Sequence, residues 1–171
     1  ITERKRTEAA LRESEARFAK AFHANPALMC ITDIATGRFL DANARLLDQL
    51  EYAREQIIGH TSVELDFYAD PGAREQMIER LRQQGFVREM PIRFRTRTGK
   101  ILETLYSAEI LHLGEQRVLL SLVHDITDRQ RAEQSLRQSE ERFAKAFQAS
   151  PAPMLITTLH EGRIIDVNAR G

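Results

Sequence analysis

Residues 1–46 and 126–171 are two copies of one segment, and no other feature of the chain limits its fold as strongly. Sliding the sequence by 125 positions lays ITERKRTEAALRESEARFAKAF (1–22) on ITDRQRAEQSLRQSEERFAKAF (126–147) without a gap. The match continues from NPALMCITDIATGRFLDANAR (25–45) onto SPAPMLITTLHEGRIIDVNAR (150–170), and roughly 27 of 46 paired positions are identical. Self-similarity of this kind is an internal repeat. The chain reads as one full repeat unit with part of the next attached, each unit entered and left through a charged helix.

The second copy of that helix follows Asp125. Thr127 and Gln130 have the spacing of a capping box, in which hydroxyl and amide each meet an orphan backbone N–H. Ala132, Leu136, Ser139, Phe143 and Phe147 then recur at steps of three and four, leaving Arg and Glu on the other faces. Leu11, Phe18 and Phe22 mark the same stripe in the first copy. Such spacing matches the seam of a short coiled coil, thinned by Ser139. A dimer-competent connector is the expectation; the plainer alternative is a stripe that packs on its own domain. Pro26 and Pro151 forbid helix continuation and bias the residue before them away from helical angles.

Between the connectors the pattern changes. Leu28–Ile34 and Gly37–Ala42 flank a turn at Ala35-Thr36-Gly37 and read as a β-hairpin. Asn43, or Asp41 just before it, suits the N-cap of a short helix carrying Leu46, Leu47 and Leu50. Ala53–Ile58 adds a helical turn ending at Gly59, and small helical pieces are expected through Val63–Tyr68. Asp70-Pro71 reads as cap and first residue of a longer helix, with Ala73, Met77, Ile78 and Leu81 on its buried face and Gly85 at its end. Met90, Ile92 and Phe94 alternate with arginines as a half-wet strand, and Pro91 places it at a sheet edge. After a turn at Thr98-Gly99, a long strand from Lys100 to about Leu113 has no clear inward side. Val118–Val123, VLLSLV, is apolar on both parities and therefore central, with both faces covered. The Phe18/Phe22 end of the first connector is the nearest cover for one face. Strands of this kind with helices gathered between them make an α+β domain.

Charge narrows the function. Lys plus Arg and Asp plus Glu each number 25, so no field of one sign is available to hold nucleic acid. No apolar run approaches the length of a bilayer span. Cys30 is the sole cysteine, which removes intrachain disulfides and multi-cysteine zinc sites and favours a reducing compartment.

Taken together, NPALMCITDIATGRFLDANARLLDQLEYAREQIIG, the Ala69-Asp70-Pro71 step, the long final strand pair and the closing HDITDRQRAE resemble a PAS sensory domain. The Asp125-Ile126-Thr127 triplet before a charged helix carries most of the resemblance, and Ile1-Thr2 is its counterpart from a preceding unit. The resemblance implies a five-stranded antiparallel sheet in the order 2-1-5-4-3 with short helices on one face. It implies a first connector over 1–22, a complete domain over 23–127, a second connector over 128–150 and the first hairpin of a truncated second domain over 151–171. By the same resemblance the segment is a non-enzymatic sensory and relay module of a bacterial signalling protein, with a histidine kinase or a cyclic-di-GMP enzyme downstream. The alternatives are a ligand-free dimerisation spacer and a small-molecule- or flavin-binding redox sensor.

Expected relay and dimer-seam residues are Leu11, Phe18, Phe22, Asp125, Thr127, Leu136, Phe143 and Phe147; the expected partner is a second copy of the chain. Met29, Ile31, Met77, Ile78, Leu81 and Leu120 are the expected lining of a small apolar pocket, though methionine-containing clusters are usually plain core. No cofactor is expected. Haem-binding relatives carry a histidine on the long helix before the third strand, and Pro71–Gln84 has none. The photoreceptor cysteine motif is absent, Cys30 lying in the first strand as a small buried apolar residue; flavin or a metabolite stays open. The five histidines lack metal spacing. Asp41 and Asp166, recurring with Asn43 and Asn168, are explained by capping and turn bonding. The expected location is cytoplasmic, with an upstream membrane anchor left open.

Overall fold

A computed structural model describes residues 2–170; Ile1 and Gly171, at the outer ends of the first connector and the second hairpin, lie outside the described residues. The chain divides into two compact units, Ile1–Thr127 and Asp128–Gly171.

In the first unit, helix α1 (Thr2–Ala24) stops short of Pro26, and β1 (Leu28–Asp33) and β2 (Phe39–Ala42) form a hairpin. Gly37, at φ 70°, takes the left-handed position in its turn. Two short helices follow, α2 (Ala44–Leu50) and α3 (Arg54–Ile57), then α4 (Ala73–Gln84). Strands β3 (Phe86–Arg95), β4 (Ile101–Leu113) and β5 (Gln116–Asp125) complete an antiparallel sheet ordered β2-β1-β5-β4-β3. This is the α+β arrangement and strand order expected, with β5 central and the Pro91 strand at the edge.

Three local expectations need correction. Val63–Tyr68 forms turns rather than helical pieces, tied down by isolated bridges from Thr61 to Arg38 and from Tyr68 to Phe94. Asp70 does not cap α4, which begins at Ala73 behind Gly72. Its carboxylate instead takes a two-pronged ion pair from Arg93, with Nε to Oδ2 at 2.8 Å. That hydrogen bond holds the Asp70 carboxyl below its usual range. Strand β3 also begins earlier than the alternation of Met90, Ile92 and Phe94 suggests. A bulge between Val87 and Met90, with Glu89 at φ 44°, lets both residues face inward. The Glu89 N–H donates to Ser107 Oγ at 3.0 Å, so the bulge leaves no orphan donor there.

The sheet has two apolar faces. Leu28, Phe67, Met77, Ile92, Leu102 and Val123 are among the residues of the main core, between the sheet and α2–α4. On β4 the even positions Leu102, Thr104, Tyr106 and Ala108 point inward, which settles the side left open above. The opposite face holds a smaller cluster of Phe22, Ile31 and Val118, flanked by Met29, Leu111 and Leu120. Phe22, in the last turn of α1, is only 2% exposed. Burying a phenylalanine side chain this fully stabilises a fold by about 2–3 kcal/mol.

Helix α5 (Thr127–Ala149), which belongs to the second unit from Asp128 onward, leads to a two-stranded sheet of β6 (Leu155–Thr157) and β7 (Ile164–Val167). Phe147 is buried, whereas Leu155, Ile164 and Ile165 are exposed. A two-stranded hairpin with its apolar side chains in water has little stability of its own.

Candidate functional site

The first unit holds a partly open cavity of about 690 Å3 between the sheet and helices α2 and α4. Helix α4 lines it along one face, with Arg74, Met77, Ile78, Leu81 and Arg82 at helical steps. Of the expected pocket residues, Met77, Ile78 and Leu81 are in this lining. Met29, Ile31 and Leu120 are not, and that part is corrected: they lie on the opposite sheet face, around Phe22. Side chains alternate along a strand, so choosing the wrong parity moves the whole set to the other side. Their strand neighbours Leu28, Cys30, Leu119 and Ser121 line the cavity instead.

Several polar groups in the cavity wall have protein partners. Tyr106 Oη and Ser121 Oγ are 2.8 Å apart, and Thr104 Oγ1 donates to the Ile92 carbonyl at 2.6 Å. Burial pushes the Cys30 thiol up to about 12, against a smaller opposing effect of its hydrogen bond with Ser121. Nucleophilic chemistry requires thiolate, so Cys30 is inert packing at neutral pH. Desolvation also raises the Tyr106 phenol, and that of the half-buried Tyr68. Among the described residues, no buried side-chain nitrogen or oxygen lacks a partner. No group of three His, Cys, Asp or Glu among them is arranged to hold a metal.

Two junctions join connector helices to this core. At the first, Asn43 is fully buried and makes bonds in several directions. Its Oδ1 accepts from Leu46 N, capping α2, and from Met29 N in β1, both at 3.0 Å. Its Nδ2 donates to Phe22 O at 3.1 Å, Asn25 O at 3.4 Å and Ala27 O at 2.9 Å. One amide therefore fixes the C-terminal end of α1, the start of β1 and the start of α2. The repeat reproduces it: Asn168 Nδ2 donates to Phe147 O at 2.9 Å and Ala152 O at 3.0 Å, and its Oδ1 accepts from Met154 N at 3.0 Å.

At the second junction the expected capping box is replaced by another arrangement. Asp125, not Thr127, caps α5, its Oδ1 accepting from Thr127 N at 2.9 Å and from the Thr127 hydroxyl. Thr127 is buried because its hydroxyl is turned to the sheet, where it accepts from Glu103 N at 3.0 Å. The other Asp125 oxygen accepts from Gln49 Nε2. Gln49 lies near the C-terminal end of α2, whose N-terminal end is Asn43. Helix α2, roughly 10 Å long at 1.5 Å per residue, is thus bonded at one end to the close of α1 and at the other to the residue that caps α5.

Of the expected relay residues, Phe22, Asp125 and Thr127 lie in these junctions, and Phe147 sits beside the equivalent of the first one. Leu11, Phe18, Leu136 and Phe143 lie along the exposed connectors, with Leu136 62% and Phe143 58% accessible. Phe18 stacks on Phe22 and Phe143 on Phe147, each pair with ring centroids 5.9 Å apart. Gln49 was not among the expected residues. Its bond to Asp125 spans 76 residues, so only the three-dimensional approach of α2 to β5 reveals it.

The description of the PAS fold matches residues 16–126, and that of a PAS domain matches residues 141–171. A PAS domain from a two-component sensor histidine kinase is 22% identical with a TM-score of 0.57, over 67% of this chain and 98% of that one. The PAS domain of an HTR-like protein from Haloarcula marismortui is 21% identical with a TM-score of 0.58, over 71% and 99%. An RNA-binding light-oxygen-voltage receptor is 18% identical with a TM-score of 0.61, over 74% of this chain and 37% of that one. No curated protein matches the chain by sequence. With a family match over most of its length and a sheet in the order β2-β1-β5-β4-β3, the chain belongs to the PAS family.

Proposed function

We propose that this chain is a sensory and relay module of a multidomain bacterial signalling protein, one whose output is a histidine kinase or a cyclic-di-GMP enzyme. In this reading the complete domain covers 23–127, connectors cover 1–22 and 128–150, and 151–171 opens a second PAS domain in tandem. The observation that carries the reading is the double attachment of α2, to Phe22 through Asn43 and to Asp125 through Gln49. A rigid element bonded to the first connector and to the residue that caps the second transmits displacement of one to the other, as packed elements with discrete arrangements do. The match of residues 141–171 to a PAS domain supports the tandem arrangement.

The module works as a homodimer in which connectors pair along Leu11 and Phe18, and along Leu136 and Phe143. Support comes from the exposure of these residues at coiled-coil spacing. Surface ion pairs such as Arg129–Glu133 and Arg137–Glu141 flank the stripe and add little stability themselves. The module is cytoplasmic, a location supported by its single thiol; no helix among the described residues is long and apolar enough to cross a membrane. Leu136→Lys is expected to weaken dimerisation at least tenfold in sedimentation equilibrium while leaving the tyrosine spectrum of the sheet unchanged. An unaltered dimer would remove the seam from the proposal.

The cavity favours a ligand-holding module over a ligand-free spacer, because its size lies within the range of small-molecule sites. Denaturing mass spectrometry and an absorption spectrum of the purified chain separate the two readings.

A further inference from the structure

We infer that residues 62–70 form a hinged flap on the cavity, latched to the edge of the sheet by two ion pairs, and that its opening controls entry to the interior. The inference concerns access alone and goes beyond the sensory and relay reading.

The segment is built to move as one piece. It runs through turns, yet several of its backbone donors are met locally. Leu65 N donates to Thr61 O at 3.2 Å, Asp66 N to Val63 O at 3.0 Å and Phe67 N to Ser62 O at 3.0 Å. Thr61 and Glu64 bond reciprocally, Thr61 N to Glu64 Oε2 at 2.9 Å and Glu64 N to Thr61 Oγ1 at 3.1 Å. A loop packed and bonded on itself keeps those bonds when it swings outward. Its near end stays tied to β2, where Phe39 N donates to His60 O at 2.9 Å. Its far end passes through Gly72, at φ 82°, before α4 begins. Hinges are usually a few residues at element ends that absorb a change in backbone angle. Asp66 holds φ 51° without being glycine, a strain that the closed position has to offset.

The latch lies on the edge strand. Among the described residues, two backbone hydrogen bonds join the segment to β3: Ala69 N to Arg93 O at 2.9 Å and Arg95 N to Phe67 O at 2.7 Å. Asp70 and Asp66 bracket them, paired with Arg93 and Arg95 respectively. Both pairs lie at the surface, where ion pairs contribute little and salt screens them. Between the two pairs, Phe67 and Tyr68 line the cavity. Phe67 packs on Phe39 and on Tyr52, and Tyr68 on Phe94, each pair with ring centroids 5.5 Å apart. Opening therefore breaks two ladder bonds and two screened ion pairs and lifts two aromatic side chains out of the wall. The five-stranded sheet stays whole, so this opening is populated more often than global unfolding.

Amide exchange of the full chain tests the flap. The Ala69 and Arg95 N–H groups are expected to exchange at one common rate, about tenfold faster than the Ser121 N–H on the central strand. Asp66→Asn combined with Asp70→Asn removes both charges, and asparagine tolerates the left-handed angle at 66. This double variant, or sodium chloride at about 1 M, should speed both N–H groups about fivefold and leave Ser121 unchanged. Cys30 reports entry, because it is buried, lines the cavity and is the sole cysteine. Its alkylation by iodoacetamide at fixed pH should rise by the same factor as the two N–H groups. Exchange at Ala69 and Arg95 no faster than at Ser121 would overturn the flap, as would an equal rise at Ser121 in the double variant. Alkylation at the wild-type rate in that variant would overturn control of entry, since the reagent would then pass through the existing opening.

Discussion

Asn43→Ala is expected to destabilise the first unit by about 3 kcal/mol, since an N-cap and several buried backbone partners lose their bonds together. The substitution removes the acceptor for Leu46 N and Met29 N and the donor for the carbonyls of Phe22, Asn25 and Ala27. Asn43 is fully buried and its bonds to Phe22 O, Ala27 O and Leu46 N lie in the interior, so solvent does not replace those three. Urea unfolding followed by tyrosine fluorescence measures the effect cleanly, because Tyr52, Tyr68 and Tyr106 are the only tyrosines and all lie in the first unit. Asn43→Asp separates two roles. It keeps an oxygen for the helix cap but turns a carboxylate toward three carbonyls. If Asn43 only caps α2, Asp is nearly neutral, since Asp and Asn cap comparably; if it also clamps α1, Asp costs as much as Ala. The clamp predicts the second result.

The next largest expected effect belongs to Phe22. Removing its ring uncovers Ile31 and Val118 on the outer sheet face, and Phe22→Ala should cost about 3 kcal/mol, at the low end of large aromatic truncations. Phe22→Leu keeps an apolar group in the gap and should cost less than about 1.5 kcal/mol. The same tyrosine signal reads both variants. A cost near zero for the alanine variant would mean that α1 does not cover the sheet. The two substitutions act on one joint through different forces, so their effects should fall short of additive when combined.

These residues also show what was legible in the sequence. The pattern VLLSLV on β5 announced a strand buried on both faces, and Pro91 announced an edge; the full strand order came only with the resemblance, and the Phe18/Phe22 end of α1 was the nearest cover for the outer face. Parity was harder to read. Cys30 and Ser121 look less suited to an interior than Ile31 and Leu120, yet they line the cavity because Ser121 bonds to the hydroxyl of Tyr106 on the neighbouring strand. Thr104 likewise faces inward because the Ile92 carbonyl is there to receive its hydroxyl. Such pairings cross between strands and leave no periodic trace. Asn43 was legible as a helix cap, a local role set by three residues. Its hold on Phe22 spans 21 residues and depends on how α1 arrives at the sheet. Asp125 and Thr127 were recognisable as a motif, but their bonding was misassigned. The capping-box spacing of Thr127 and Gln130 is genuine, while the partners that win are Asp125 and the Glu103 N–H.

Coupling of the two connectors through α2 is open to a direct measurement. Amide spectra of the wild-type chain and of Phe22→Leu, which shifts the seat of α1 without emptying it, report every residue along the proposed route. The account predicts shifts at Asn43, through α2, and on to Asp125–Asp128. It further predicts that adding Gln49→Leu abolishes the far shifts and leaves those at Asn43 in place. Shifts that stop at Asn43, or far shifts that persist without Gln49, would contradict it.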